Sequence, residues 1–165
     1  MGIVTLDQFR QNLARDSRVL GLDVGTKTIG VAFGSLMGGI STPLKVINRT
    51  KIARDAADLS KLMGEYGCAG LVVGWPLNVD GTEGKRCQGV RDVMLELLKY
   101  IPDVPVVFYD ERFSTNRAEK FMIETVDMSR GKRDKKVDKM AAQIILQDFL
   151  EMELGFSHSG PDGSR

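Results

Sequence analysis

Hydrophobic positions along the chain follow two periods, and their order predicts the architecture. Leu6, Phe9 and Leu13 recur at helical spacing behind Thr5, whose hydroxyl can cap a first turn, so residues 5–15 are expected to form a short helix. The runs 18–24 (RVLGLDV) and 28–35 (TIGVAFGS) are rich in β-formers and are separated only by Gly25-Thr26-Lys27, which reads as a hairpin. Residues 43–48 (PLKVIN) predict a third strand in the same antiparallel meander. Ile52, Ala56, Leu59, Leu62 and Met63 then share one face of a helix that stops at Gly67. The wholly apolar run 70–74 (GLVVG) has the look of a strand covered on both sides. A Gly/Pro/Asn loop, 75–82, leads into a helix over 83–100, with Val90, Val93, Met94, Leu97 and Leu98 inward. A fifth strand is expected over 104–109 and a helix over 114–124, followed by a polar, basic stretch at 126–135. The closing helix, 136–154, would turn Val137, Met140, Ala141, Ile144 and Ile145 to the core.

Three antiparallel strands followed by strands alternating with helices describe an α/β fold: a five-stranded mixed sheet with helices on both faces. Residues 1–17 form an N-terminal extension with a short helix, 18–154 one domain, and 155–165 a disordered tail.

Composition narrows the chemistry. The chain has 165 residues, 42% hydrophobic and 27% charged, the balance of a soluble globular protein. No apolar run reaches the roughly 18 residues of a membrane span, and the N-terminus is too polar for a signal peptide. Cys68 and Cys87 lack metal-type spacing and fit reduced thiols of a cytoplasmic protein. The single histidine, His158, sits in the polar tail. Catalytic triads, Cys-His pairs and histidine zinc sites are thereby disfavoured, which leaves carboxylates, lysines, hydroxyls and backbone amides.

Three carboxylates stand where such chemistry can be built. Asp23 interrupts an apolar strand near its end; a charge there is costly unless paired or metal-bound, although an aspartate can also cap the Gly25-Thr26 turn. Asp110 and Glu111 follow the fifth strand, at the kind of strand end where open α/β sheets hold ligands. Alternation lets only one of the two face a shared site easily. Asp138 lies in the first turn of the last helix, where the helix dipole favours an acid whatever its function. Together they would make an oxygen-only ligand set suited to Mg²⁺ or Mn²⁺, able to serve phosphodiester hydrolysis without histidine.

The segments LGLDVGTKTIGVA (20–32), VVGWPLNVDGTEG (72–84), YDERFST (109–115) and VDKMAAQIILQDFL (137–150) together resemble the YqgF family. The resemblance spans about Arg18 to Leu154. It implies an RNase H-like fold and a magnesium-dependent nuclease, either a Holliday junction resolvase or an enzyme processing the 5′ end of pre-16S rRNA during ribosome biogenesis. Asp23, Glu111 and Asp138 fall on the family's acidic positions, as catalytic groups and metal ligands, with Asp110 as the alternative to Glu111. Resolvases of the wider superfamily often carry an acid at the end of the fourth strand, where this chain has Gly74-Trp-Pro-Leu-Asn78. Trp75 stands where the family usually has an aliphatic residue or Phe.

A nucleic-acid partner, precursor rRNA or branched DNA, needs cations near these acids, and the net charge of the chain is only +1. Between Met128 and Lys139, however, six basic residues face two acids. Arg133, Lys135 and Lys136 in this stretch can contact phosphates, or can simply be a solvated face. Asn78 can donate to a phosphate from the Gly-rich loop, and Thr26, Lys27, Arg112, Ser114 and Thr115 complete the candidate substrate contacts. Trp75 can stack on a base or anchor its loop. Ribosomal precursor particles are a possible setting, no membrane is involved, and the chain would act as a monomer or homodimer. Two other classes compete. Asp23-Val-Gly-Thr-Lys-Thr also resembles the first phosphate loop of actin-like ATPases, and the fold can serve as an RNA-binding module without catalysis.

Overall fold

A computed structural model describes residues 2–110 and 140–153. The strands are β1 (Gly2–Ile3), β2 (Arg18–Val24), β3 (Thr28–Ser35), β4 (Ser41–Asn48), β5 (Cys68–Trp75) and β6 (Pro105–Asp110). The helices are α1 (Leu6–Asn12), α2 (Ile52–Tyr66), α3 (Lys85–Leu97) and α4 (140–148), which runs on into a π-helical turn at Phe149–Glu153. They build a single mixed sheet in the order β1-β6-β5-β2-β3-β4. β2, β3 and β4 form the expected antiparallel meander, while β2, β5, β6 and β1 run parallel.

The sheet has six strands rather than five. Gly2–Ile3 pairs in parallel with Pro105–Val106, and the Val4 amide extends the contact to the Val106 carbonyl at 2.8 Å. Two residues carry no readable alternation, so this strand was invisible to periodicity. α1 begins as expected: Thr5 Oγ1 accepts from the Gln8 amide and Gln8 Oε1 accepts from the Thr5 amide, a closed capping box.

Each face of the sheet carries its own core. Leu20, Leu22, Val24, Leu71, Val73, Trp75 and Val106 pack against α2 and α3. Val19, Ala32, Val72 and Val107 pack against Phe9 of α1 and against α4. α2 uses its expected stripe and ends at Gly67, whose left-handed φ of 61° only glycine adopts freely. Lys51 gives α2 no side-chain cap. Instead the buried Asp55 accepts from the Thr50 amide and hydroxyl, both at 3.0 Å.

On α4 the inward stripe is displaced from expectation. Ala142, Ile145, Leu146, Phe149 and Leu150 are buried, whereas Met140, Ala141 and Ile144 are only partly covered. A continuous Ile-Ile-Leu run leaves the helical phase open, and contact with the sheet selects it. A Cβ on Gly21 would lie 2.7 Å from Leu146 Cβ, and one on Gly34 would lie 3.2 Å from both Leu146 and Leu150. These two glycines form the groove that receives the helix. The expected helix over 114–124, the basic stretch at 126–135 and the tail at 155–165 lie outside the described residues.

Candidate active site

The strand register brings Asp23 and Asp110, the candidate acids among the described residues, to one end of the sheet and separates them by face. β2 pairs with β5 through Leu22 and Val73, and β5 pairs with β6 through Gly74–Tyr109 and Trp75–Asp110. Asp23 and Asp110 therefore both close the C-terminal ends of parallel strands, with β5 between them, about 10 Å apart at two strand spacings. Leu22 and Val24 belong to the α2/α3 core, so alternation turns Asp23 to the α1/α4 face. Tyr109 shares that face and meets the Phe149 ring edge-on at 5.7 Å. Phe108 and Trp75 stack at 4.3 Å within the opposite core, and Asp110 follows their side of the sheet. Of the two alternatives, Asp110 is thus the one directed away from Asp23.

α4 is tied to the Asp23 face by more than apolar packing. Gln147 donates to the Gly39 carbonyl at 2.9 Å and accepts from the Ser41 amide at 2.9 Å. Ala142 lies over Gly21, and Leu150 lies over Gly34, whose strand partner is Val19. As its numbers fall, the helix therefore advances toward the Asp23 end of β2. Asp148, a buried acid of α4, sits six residues beyond Ala142, about 9 Å along the helix and away from Asp23.

The turn after Asp23 is held from outside. The Gly25 amide donates to the Thr28 carbonyl at 2.8 Å, closing the hairpin. Arg49, just beyond β4, donates through one guanidinium nitrogen to the carbonyls of Gly25 (2.7 Å) and Thr26 (3.1 Å). Thr26 and Lys27 are exposed on this turn. They line a cleft of about 670 Å³ together with Asp23, Arg49, Lys85 and Arg86. Arg49, Lys85 and Arg86 were absent from the sequence-based set. The signal for the last two was readable: consecutive cations open a helix at the end where acids are favoured.

Trp75, which the structure places at the end of β5 and not in the expected loop, and Asn78 behave differently from a simple ligand-binding reading. Trp75 is 7% exposed, stacked on Phe108 and covered by the Arg91 guanidinium at 5.0 Å, so it is core and cannot stack on a base. Asn78 is exposed, but its side-chain amide donates to Thr82 Oγ1 at 3.0 Å while its backbone closes the same turn with Gly81 and Thr82. One amide hydrogen is thereby committed to loop geometry. Gly81, at φ 88°, supplies the positive dihedral that the turn requires. Glu111, Arg112, Ser114, Thr115, Arg133, Lys135, Lys136 and Asp138 lie outside the described residues. Among the described residues, no three His, Cys, Asp or Glu side chains gather into a group able to hold a metal ion. No described helix is long and apolar enough to cross a membrane.

Comparison with known proteins bears on this arrangement. A family model described as RuvX, Holliday junction resolvase, matches residues 17–152. A Caulobacter vibrioides protein named "Putative pre-16S rRNA nuclease" is 44% identical over 151 residues, covering 92% of this chain and 97% of its own. A Rhodobacter capsulatus protein of the same name is 46% identical over 155 residues, covering 93% and 96%. Among solved structures, T. thermophilus RuvC in complex with a Holliday junction substrate is similar at 15% identity and a TM-score of 0.49, covering 85% of this chain and 97% of that one.

Proposed function

The chain belongs to the RuvX/YqgF family, and from that premise we propose that it is a metal-dependent nuclease that hydrolyses phosphodiester bonds in 5′-end processing of pre-16S rRNA. The observation that carries this reading is the position of Asp23. It is a half-buried carboxylate at the end of a central parallel strand, at the edge of a cleft lined by cations, with α4 directed toward it.

Asp23, Glu111 and Asp138 are the residues we assign to Mg²⁺ or Mn²⁺. Asp23 alone does not make a site, so the assignment draws on chain continuity. Glu111 directly follows Asp110, the last residue of β6, and is assigned in its place because Asp110 itself is turned away from Asp23. Asp138 stands two residues before the described start of α4 in the sequence. All three offer hard oxygen donors, the type these ions take. Such an ion, when bound, lowers the pKa of a coordinated water and stabilises charge on the leaving oxygen.

The remaining assignments concern substrate. Thr26 and Lys27 contact phosphate from the hairpin turn, and Asn78 uses its second amide hydrogen. Arg112, Ser114, Thr115, Arg133, Lys135 and Lys136 are the further residues we assign to the substrate backbone. Precursor ribosomal particles in the cytoplasm are the setting this substrate implies. The family's description favours a second reading, resolution of branched DNA.

Cleavage assays with Mg²⁺ on a 5′-extended 16S precursor RNA and on a four-way DNA junction discriminate the two. The RNA is expected to be cut and the junction spared, and Asp23→Asn is expected to abolish cutting. Cleavage that survives Asp23→Asn would remove the site assignment.

A further inference from the structure

The cleft on the α3 side of Asp23 has features that the acidic cluster does not explain. Among the described residues, its lining includes the cations Lys27, Arg49, Lys85 and Arg86, and Asp23 is the acid at its edge. The acids nearest Lys85 in sequence are already engaged. Glu83 pairs with Arg91 at 3.2 Å, and Asp80 accepts from the Thr82 amide and hydroxyl. Arg49 spends one nitrogen on the hairpin carbonyls, and its other guanidinium nitrogens have no partner among the described residues.

The start of α3 is the most telling part. Gly84 occupies the N-cap position and provides no side-chain acceptor, and the first turn contains no acid. The first amides of a helix have no intrahelical acceptor and concentrate about half a positive charge. Placing Lys85 and Arg86 there opposes the dipole. The protein thus keeps an uncapped, doubly cationic helix start facing an open cleft, an arrangement relieved by an anion. The cleft volume of about 670 Å³ lies within the roughly 300–1,000 Å³ of ordinary ligand sites and exceeds what one phosphate needs.

We propose that this cleft, between the Gly25–Lys27 turn, Arg49 and the first turn of α3, seats the sugar–phosphate backbone of the nucleic-acid substrate next to the position of cleavage. Lys85 and Arg86 engage one phosphate together with the α3 amides, and Arg49 and Lys27 engage the next. The strand then passes the edge marked by Asp23, so the cleft sets the register of the cut. The inference rests on the nuclease reading above, since the strand it seats is that enzyme's substrate.

The test measures binding and does not require cleavage. Fluorescence anisotropy with a labelled single-stranded RNA is followed against salt in the full-length Asp23→Asn protein without metal, with and without Lys85→Gln/Arg86→Gln. The double substitution is expected to weaken binding about tenfold. It should also flatten the dependence of log K on log salt by about 0.7, the value for one single-strand phosphate contact. Lys85→Arg/Arg86→Lys should restore both. The melting temperature should be unchanged or raised, because the cations removed oppose the helix dipole; this separates lost contact from lost fold. Unchanged affinity and salt slope would overturn the proposal. So would ATP binding that is lost with these substitutions while RNA binding holds, which would make the cleft a free-nucleotide site. Because cleavage is not read, a failure of the Asp23 assignment leaves this result standing, and the reverse also holds.

Discussion

The two faces of the sheet meet at Asp23 and treat it in opposite ways. On the α4 face, glycine at positions 21 and 34 draws the helix so close that a single methyl group on Gly21 would collide with Leu146. On the α3 face, the core of Val24, Trp75 and Val90 opens at the same level into a cation-lined cleft. The first side fixes position and the second gives access. A nuclease needs both around one carboxylate, because misplacing reacting groups by about 1 Å can cost ~10²-fold in rate, whereas the substrate must still enter and leave.

A methyl group added to each side sharpens the contrast. Gly21→Ala must push α4 away, with an expected destabilisation of about 1–3 kcal/mol by overpacking, and cleavage should fall by up to ~10²-fold. The same change at Gly64 of α2, where a Cβ meets nothing within 4 Å, should stabilise by about 0.4–1 kcal/mol through the unfolded chain and leave cleavage intact. Urea denaturation with parallel activity assays checks the pair. Equal effects at the two positions would remove the claim that close packing on one face positions the site.

The smallest expected effect lies at the far end of β5. Burial pushes the Cys68 thiol from 9.0 up to about 11, with Arg18 working in the opposite direction. The folded protein therefore holds this proton more tightly than the unfolded chain does. The resulting stabilisation is complete below about pH 9 and disappears as pH rises toward 11. Denaturation midpoints measured from pH 8 to 11 should fall more steeply for the wild type than for Cys68→Ser. Parallel slopes would contradict the assignment.

Most of the strands and the α2 and α3 stripes were legible because their residues alternate with one period and end at clear stops such as Gly67. β1 was not, since two residues have no period. The phase of α4 was not, since Ile144-Ile145-Leu146 is apolar all round and the choice is made by glycines more than a hundred positions away. The same division applies at the site. Asp23 stands out locally as a charge in an apolar strand. Arg49 becomes meaningful only when β4 returns beside the hairpin turn, and its approach to Lys85 and Arg86 depends on the β5–α3 connection. Trp75 was ambiguous in the loop sequence until pairing with Phe108 and Arg91 enclosed it.

The central claim is that Asp23 is the fixed member of a metal site completed by Glu111 and Asp138. The most direct measurement is a crystal structure of the full-length protein with Mn²⁺, located by its anomalous scattering. The account predicts Mn²⁺ ligated by the carboxylates of Asp23, Glu111 and Asp138, and lost in Asp23→Asn. Mn²⁺ bound without Asp23, or ligated by Asp110 in place of Glu111, would contradict it.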